Sequence, residues 1–393
     1  MDRDRVAVTF ANFGPYHLAR LRALAARLAV DGLGLTAIEV AGTDRQWPWR
    51  VDRDDEPFRW ITLFPDRGLD TLTRTDCVEA IRGCLDEQAP IALAATGYVR
   101  PESLAAAAWA RRRGIASILM SESQRHDRPK LWWKESIKAL RVRRFDAALV
   151  GGPSHADYLE ELGMPRGRIA LGYNAVDHEA FALETDKARR DPSTRVGLPD
   201  RPYFLSVCRF AAEKNLPRLI RAFAAYRAGG GTWDLALIGG GPDAATVDEV
   251  VRESGLGRSI HGPGFLQGEG LARWYAHASA FVLASVCEPW GLVVNEAAAA
   301  GLPLLVSDRA GVAGTLVDGG TGRTFDPLDP DAILGALAWA SSLEGAERSA
   351  IGARARAAAA EWGPSRFASG FVEAMRHATL RVGSRRKLSR ATG

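Results

Sequence analysis

The sequence predicts an α/β chain built from two Rossmann-like, doubly wound domains in tandem. Three observations carry that reading. At 393 residues the chain is about twice the usual size of a single domain. Short apolar runs alternate with amphipathic stretches along most of its length, as parallel sheets covered by helices require. One charged, weakly apolar stretch, residues 181–201, interrupts the alternation before it restarts.

Taken in order, residues 6–10, 35–40, 91–95, 116–120, 147–150 and 169–171 are short apolar runs that read as buried strands, with helical patterns between several of them, such as 18–28 and 103–113. After the break, 203–207, 235–238, 281–284 and 304–306 read as strands and 216–227, 244–254 and 292–300 as helices. Phe367, Phe371 and Met375 recur every four residues, so one face of a last helix needs an apolar partner surface. The expected division is a first domain over 1–182, a linker over 183–201 and a second domain over 202–362. A helix over 363–380 then crosses back to the first domain, and a basic tail fills 381–393. A cleft is expected between the domains.

Composition excludes several classes. An apolar fraction of 47% and a charged fraction of 25% are globular averages, not those of a disordered or collagen-like chain. Subtracting 47 acidic from 51 basic side chains leaves a net charge of +4, too little by itself to imply nucleic-acid binding. Cys77, Cys84, Cys208 and Cys287 form no disulfide framework and no metal-ligand spacing, so no metal is expected. The start of the chain shows no signal-peptide pattern and no run is long enough to span a membrane, so the expected location is cytoplasmic.

Four segments could carry chemistry. In residues 11–17, Ala-Asn-Phe-Gly-Pro-Tyr-His, Gly14 would let the backbone approach a ligand, with free N–H groups of the following helix facing anionic oxygens; a plain tight turn fits equally well. Arg209 and Lys214 leave the carboxyl end of a predicted strand, where open α/β sheets bind ligands. A guanidinium grips phosphate through paired N–H groups and an ammonium acts as a point charge. Only six lysines occur, at 130, 134, 138, 187, 214 and 387, so one held in a strand-end loop is no interchangeable surface cation. Gly239, Gly240, Gly241 and Pro242 form a glycine turn that suits either a bare-backbone ligand contact or a structural connection. Glu288 and Glu296 lie eight positions apart near a helix start, with Trp290, Gly291, Leu292 and Val293 between them. Their carboxylates suit sugar and ribose hydroxyls, while the helix amides suit phosphate.

Arg209-x4-Lys214, the 239–242 turn, Glu288-x7-Glu296 and Gly301-x-Pro303 together resemble the retaining GT-B glycosyltransferases, specifically glycosyltransferase family 4. Asn174-Ala-Val-Asp177 with Phe181 is similar to that family's Asn-Gly-Val-Asp segment, with alanine in place of glycine. The resemblance is strong over about residues 150–326. It implies two Rossmann-like domains facing across a cleft, a nucleotide-diphosphate sugar as donor and no metal or other cofactor. Arg209 and Lys214 would bind the diphosphate, Glu288 the transferred sugar and Glu296 the ribose, with Gly14, the 240–242 turn and residues 290–293 also on the donor side. Where family members often carry a histidine, this chain has Ser121-Glu122-Ser123-Gln124-Arg125-His126, so Glu122 and His126 are the candidates toward the acceptor, which stays unidentified. Thr96-Gly97-Tyr98 is a further acceptor-side candidate. Nucleotide-sugar epimerisation and non-catalytic nucleotide-sugar binding are the alternatives.

Residues 128–144 interleave cations with Trp132 and Trp133, which suits peripheral contact with an anionic membrane. The preferred expectation is nevertheless a helix whose tryptophans pack on the first domain's sheet, because tryptophan is highly buried on average.

Overall fold

The computed structural model describes residues 4–44, 51, 55–127 and 131–391. Among these the chain divides into two compact units, one made of residues from 4–125, 131–176 and 364–391, the other of 126–127 and 177–363.

The first unit runs β1 (Arg5–Phe10), α1 (Pro15–Val30), β2 (Gly34–Thr43), β3 (Arg59–Gly68), α2 (Arg74–Gln88), β4 (Ala92–Thr96), α3 (Pro101–Arg113), β5 (Ala116–Ser121), α4 (Trp132–Val142), β6 (Ala147–Val150), α5 (Pro153–Glu161) and β7 (Ile169–Leu171). Its seven strands pair in the order β3-β2-β1-β4-β5-β6-β7, all parallel. Val6, Val8, Leu35, Ala94 and Ile118 line one face of that sheet; Ala7, Ile38, Leu93, Ala95 and Leu119 line the other. Strands buried on both faces explain why these runs are apolar at successive positions instead of alternating.

The second unit runs α6 (His178–Arg190), β8 (Tyr203–Val207), α7 (Leu216–Ala228), β9 (Asp234–Ile238), α8 (Ala244–Ser254), β10 (Ile260–Gly264), α9 (Glu269–His277), β11 (Ala280–Leu283), α10 (Leu292–Ala299), β12 (Leu304–Ser307), β13 (Gly322–Phe325), α11 (Pro330–Ser342) and α12 (Gly345–Ala360). Its strands pair in the order β10-β9-β8-β11-β12-β13, again all parallel. In each sheet the strand order reverses beside the unit's first strand, between β1 and β4 and between β8 and β11. The connections diverge there and leave a crevice at the strands' carboxyl ends.

Two expectations about the connecting segments need correction. Residues 183–201 are not an open linker, since α6 runs through Arg190. Asp177 caps that helix by accepting the Ala180 N–H, and Arg356 grips Asp186 through two bonds of 2.9 Å. Its buried stripe is only Thr185 and Ala188, too small to register as an apolar period. The supposed tail is helical too, because α13 (Pro364–Ala391) runs on without a break. It packs on the first unit through Phe367, Phe371, Ala374 and Ala378, all in the cluster that includes Val8, Ala94 and Ile118.

The contact of α13 with β7 is backbone-close. A methyl group added at Gly370 would collide with the Leu171 carbonyl oxygen. Gly370→Ala should therefore push the helix off the strand end and cost about 1–3 kcal/mol, as overpacking does. Thermal melting checks this: an unchanged midpoint would mean that α13 is not seated there.

Candidate active site

A cluster of charge-bearing side chains sits at the second unit's sheet reversal. The loop after β8 carries Arg209, Glu213 and Lys214, and the loop after β11 carries Ser285 and Glu288. Backbone and side chain stitch the two loops together. The Val286 N–H donates to the Glu213 carbonyl at 2.8 Å. Asn215 takes a left-handed conformation, φ 58°, which asparagine tolerates better than most residues. From there its Nδ2 donates to the Ala284 and Pro327 carbonyls at 3.1 and 2.8 Å.

Across this seam Lys214 Nζ donates to Glu288 Oε2, and both side chains are largely buried. Ser285 Oγ donates to the same carboxylate oxygen at 3.2 Å. Burial pulls the Lys214 ammonium toward a lower pKa, but the Glu288 carboxylate, with Cys208 and Glu213 adding, reverses this and leaves it above the ordinary lysine value. The lysine is therefore a fixed positive charge. An ammonium has three donors, so an anionic ligand could be met without breaking the pair. Arg209 Nη2 bonds Glu213 Oε1 at 2.7 Å. Burial also pushes the neighbouring Cys208 thiol up to about 12, which removes it as a nucleophile near neutral pH.

The helix that follows Glu288 starts at Gly291, whose φ of 101° belongs to glycine. Two turns along, Glu296 is buried and accepts the Tyr275 hydroxyl at 2.9 Å. Tyr275 is in turn stacked on Phe281 and meets the edge of Phe181. Leu292 and Val293 stand half-buried in the first turn of α10. Trp290 does not fit the role expected of it. Its indole is in the core, 4.9 Å from Trp362 between ring centroids, and its N–H is satisfied by Asn295 at 2.9 Å. A large ring that finds both an apolar pocket and a hydrogen-bond partner is placed there by packing.

Comparison with known proteins bears on this unit above all. The sequence pattern of the family described as "Glycosyl transferases group 1" matches residues 190–358. The chain is 30% identical over 190 residues to the GDP-mannose-dependent alpha-(1-6)-phosphatidylinositol monomannoside mannosyltransferase of Mycolicibacterium smegmatis, a match covering 44% of this chain and 49% of that protein. It is 31% identical over 166 residues to the alpha-D-kanosaminyltransferase of Streptomyces kanamyceticus, covering 42% and 43%. The chain thus spans about half the length of the curated relatives it matches. Among solved structures, the sucrose-phosphate synthase of Thermosynechococcus elongatus superposes with a TM-score of 0.71 at 20% identity over 100% of both chains. An Anabaena protein solved with UDP and glucose gives 0.70 at 14% identity, covering 95% of this chain and 99% of its own. The fold is GT-B.

In GT-B terms, the three glycines after β9 divide into distinct roles. A Cβ at Gly239 would collide with the Cys208 carbonyl oxygen, and one at Gly241 would lie 2.5 Å from that of Phe210. These two glycines let the turn press against the Arg209 loop, sealed by Phe210 N–H to the Gly240 carbonyl at 2.8 Å and Asp243 N–H to that of Phe210 at 3.0 Å. Nothing stands within 4 Å of a Cβ at Gly240, so Gly240 alone is open to a ligand. Gly241→Ala should lower stability by roughly 2–4 kcal/mol and displace Arg209, whereas Gly240→Ala should leave melting unchanged. Equal melting midpoints for both variants would refute this division.

Several of the first unit's expected residues are engaged in bonds within the fold. Gly14 donates its N–H to His17 Nδ1 at 3.0 Å, and the Phe13 N–H goes to Glu39 Oε2 at 3.0 Å. These two amides are committed internally, so the loop does not offer them to a ligand. Glu39, buried in β2, also accepts from Trp60 Nε1 and Thr62 Oγ1, and so holds the loop from β3's side; sequence reading missed it because a glutamate inside an apolar run carries no motif. Glu122 is half-buried and accepts Asn174 Nδ2 at 2.8 Å, which gives the Asn174–Asp177 segment one residue for this bond and another to cap α6. His126 is exposed and groups with the second unit. Thr96 Oγ1 bonds the Thr9 carbonyl at 2.8 Å, and Tyr98 is a core side chain with its hydroxyl pushed up to about 12, mainly by burial.

The same cap occurs twice. Gly14-Pro-Tyr-His17 opens α1 and Gly152-Pro-Ser-His155 opens α5, each with glycine N–H donated to histidine Nδ1. Burial, with the Arg20 cation adding to it, holds His17 well below the usual imidazole value, so the folded protein favours the neutral ring that can accept this bond. The sign follows. As pH falls through about 6.5 the unfolded chain binds a proton that the folded one refuses, and stability declines by up to about 1.4 kcal/mol per pH unit. His17→Asn should flatten that decline between about pH 7 and about pH 5, read by urea denaturation. A slope equal to that of the unaltered protein would mean that His17 is not held neutral.

Proposed function

We propose that this chain is a retaining, metal-independent glycosyltransferase that moves a sugar from a nucleotide-diphosphate sugar to a hydroxyl acceptor, in the manner of glycosyltransferase family 4. The observation that carries the reading is the buried Lys214–Glu288 pair at the β8/β11 reversal, inside the segment that matches the glycosyl transferases group 1 pattern. The names of the relatives support sugar transfer and lend nothing to the epimerase alternative.

In this mechanism the acceptor oxygen bonds the anomeric carbon on the face from which the diphosphate departs. The diphosphate leaves with the electron pair of the broken carbon–oxygen bond, and the acceptor's proton passes to the departing phosphate oxygen. Arg209 and Lys214 face the charge that develops on the leaving group, where fixed cations in a dry site are worth most. Glu288 orients sugar hydroxyls while keeping Lys214 charged, and Glu296, held by Tyr275, receives the ribose hydroxyls. Glu122 and His126 serve the acceptor side. No pair of catalytic carboxylates of the glycosidase kind is required.

The test is incubation of the full chain with UDP- and GDP-sugars, with chelator present and with or without hydroxyl acceptors. Sugar transfer should require acceptor, survive chelation and keep the donor's anomeric configuration, read from the anomeric proton coupling of the first product by NMR. Inversion would sink the front-face mechanism, and loss of activity on chelation would sink metal independence. Lys214→Met should lower turnover by roughly two to three decades, with the product anomer unchanged. Unaltered turnover would remove Lys214 from the site.

A further inference from the structure

We propose that the outward face of α4 docks the first unit onto an anionic phospholipid bilayer. The expectation that Trp132 and Trp133 pack on the sheet is not met: they are 82% and 47% exposed. The helix is turned so that Ala139 and Val142 reach the core, while Trp133, Ile137 and Leu140, at positions i, i+4 and i+7, form a stripe on the opposite side. Ile137 is 41% and Leu140 63% exposed, and Leu131 just before the helix is exposed as well. Five large apolar side chains gathered on one short segment exceed the scattered singles of an ordinary surface.

The charges decide what covers this stripe. Residues 131–144 contain one carboxylate, Glu135, and it faces inward. It accepts Lys138 Nζ and the Tyr158 hydroxyl, each at 2.8 Å, and Lys138 also reaches that hydroxyl at 2.7 Å. That pairing cancels one cation and pins the inner face. Lys134, Arg143 and Arg144 are exposed and Arg141 half-exposed, so within residues 131–144 every outward charge is a cation. The Lys134 ammonium stands 5.2 Å from the centre of the Trp133 ring, which lets its stem lie along the apolar stripe. Tryptophans beside cations, with no outward acid on the segment itself, match the interface of an anionic bilayer: rings at the headgroup level and ammonium or guanidinium groups at the phosphates. A protein partner would be expected to meet some complementary pattern of both signs. Residues 128–130, part of the stretch singled out in the sequence, lie outside the described residues.

The experiment is independent of sugar chemistry. The full chain is sedimented with phosphatidylglycerol-containing vesicles and with pure phosphatidylcholine vesicles, at low and high salt. Binding should be confined to the anionic vesicles and be released by salt. Trp132→Ala with Trp133→Ala, and separately Lys134→Glu with Arg141→Glu, should each lower the partition coefficient roughly tenfold or more. Because all four side chains avoid the core, melting should be unchanged in both variants, and the charge-reversed one keeps the test sharp if the tryptophan variant folds poorly. Absence of sedimentation, equal binding to both lipids, or variants that bind as the parent does would overturn the proposal. So would a dimer in solution that the tryptophan variant abolishes, which would assign the stripe to a second copy of the chain.

Discussion

The second unit is organised around one electrostatic constraint, a lysine and a glutamate facing each other out of water where two strands of a parallel sheet diverge. Removing two ions from water costs several kcal/mol each, and their attraction offsets that only with good geometry and further hydrogen bonds. The surroundings supply both. Ser285 adds a donor to the Glu288 carboxylate, Asn215 ties the lysine's loop to two carbonyls, and Val286 joins the loops through the backbone. Gly239 and Gly241 then allow the neighbouring turn to close on the same loop. A pair of apolar side chains would fill such a seam at lower desolvation cost, so hydrophobic packing alone does not account for charge at this position.

Much of the fold was legible because parallel strands covered by helices on both sides write themselves as unbroken apolar runs. The runs at 147–150, 169–171 and 203–207 are strands with those same limits. What escaped reading lacks that signature. Strand β3 is an edge strand, partly exposed and carrying Pro65, so its ten residues show no buried run. Strands β10 and β13 are short and glycine-bearing. Helix α12 buries only Ile351, Gly352, Ala355 and Ala359, a mostly small-residue stripe that alanines on the other faces conceal. Helix α4 was misjudged for the reverse reason: its period is plain, but a periodic stripe does not say which side of the helix meets the protein. Only Val142, Ala139 and the inward Glu135–Lys138–Tyr158 group reveal that.

The candidate site was legible where chemistry needs charge and illegible where geometry needs none. Arg209, Lys214 and Glu288 stood out as charged residues at strand ends, and the structure gathers the last two into one ion pair. The glycine turn showed only that backbone comes close to something, and close approach to Phe210 looks the same in sequence as close approach to a phosphate. Trp290 shows the same ambiguity: a tryptophan between two site carboxylates is equally a core ring. Gly14 reads as a loop open to ligand until His17 and Glu39 are seen to take the amides at 13 and 14. Hydrogen-bond commitment is a property of three-dimensional partners, and no spacing rule recovers it.

Both units reverse strand order beside their first strand, yet the two crevices are furnished differently. In the second, the reversal carries Arg209, Lys214 and Glu288, each bonded to a side chain of opposite charge. In the first, the β1 loop is built around a histidine kept neutral by burial, and the β4 loop offers Thr96 and a core tyrosine whose hydroxyl is far from ionising. The carboxylate nearest the β1 loop, Glu39, is buried and consumed in holding Phe13, Trp60 and Thr62. Cations stand at both reversals: Arg100 ends the β4 loop and pairs with Glu102, while Arg209 and Lys214 pair with Glu213 and Glu288. The same topology thus appears twice with different side chains at the reversal, and that difference lies in a handful of loop residues, since the two sheets that carry them are built alike.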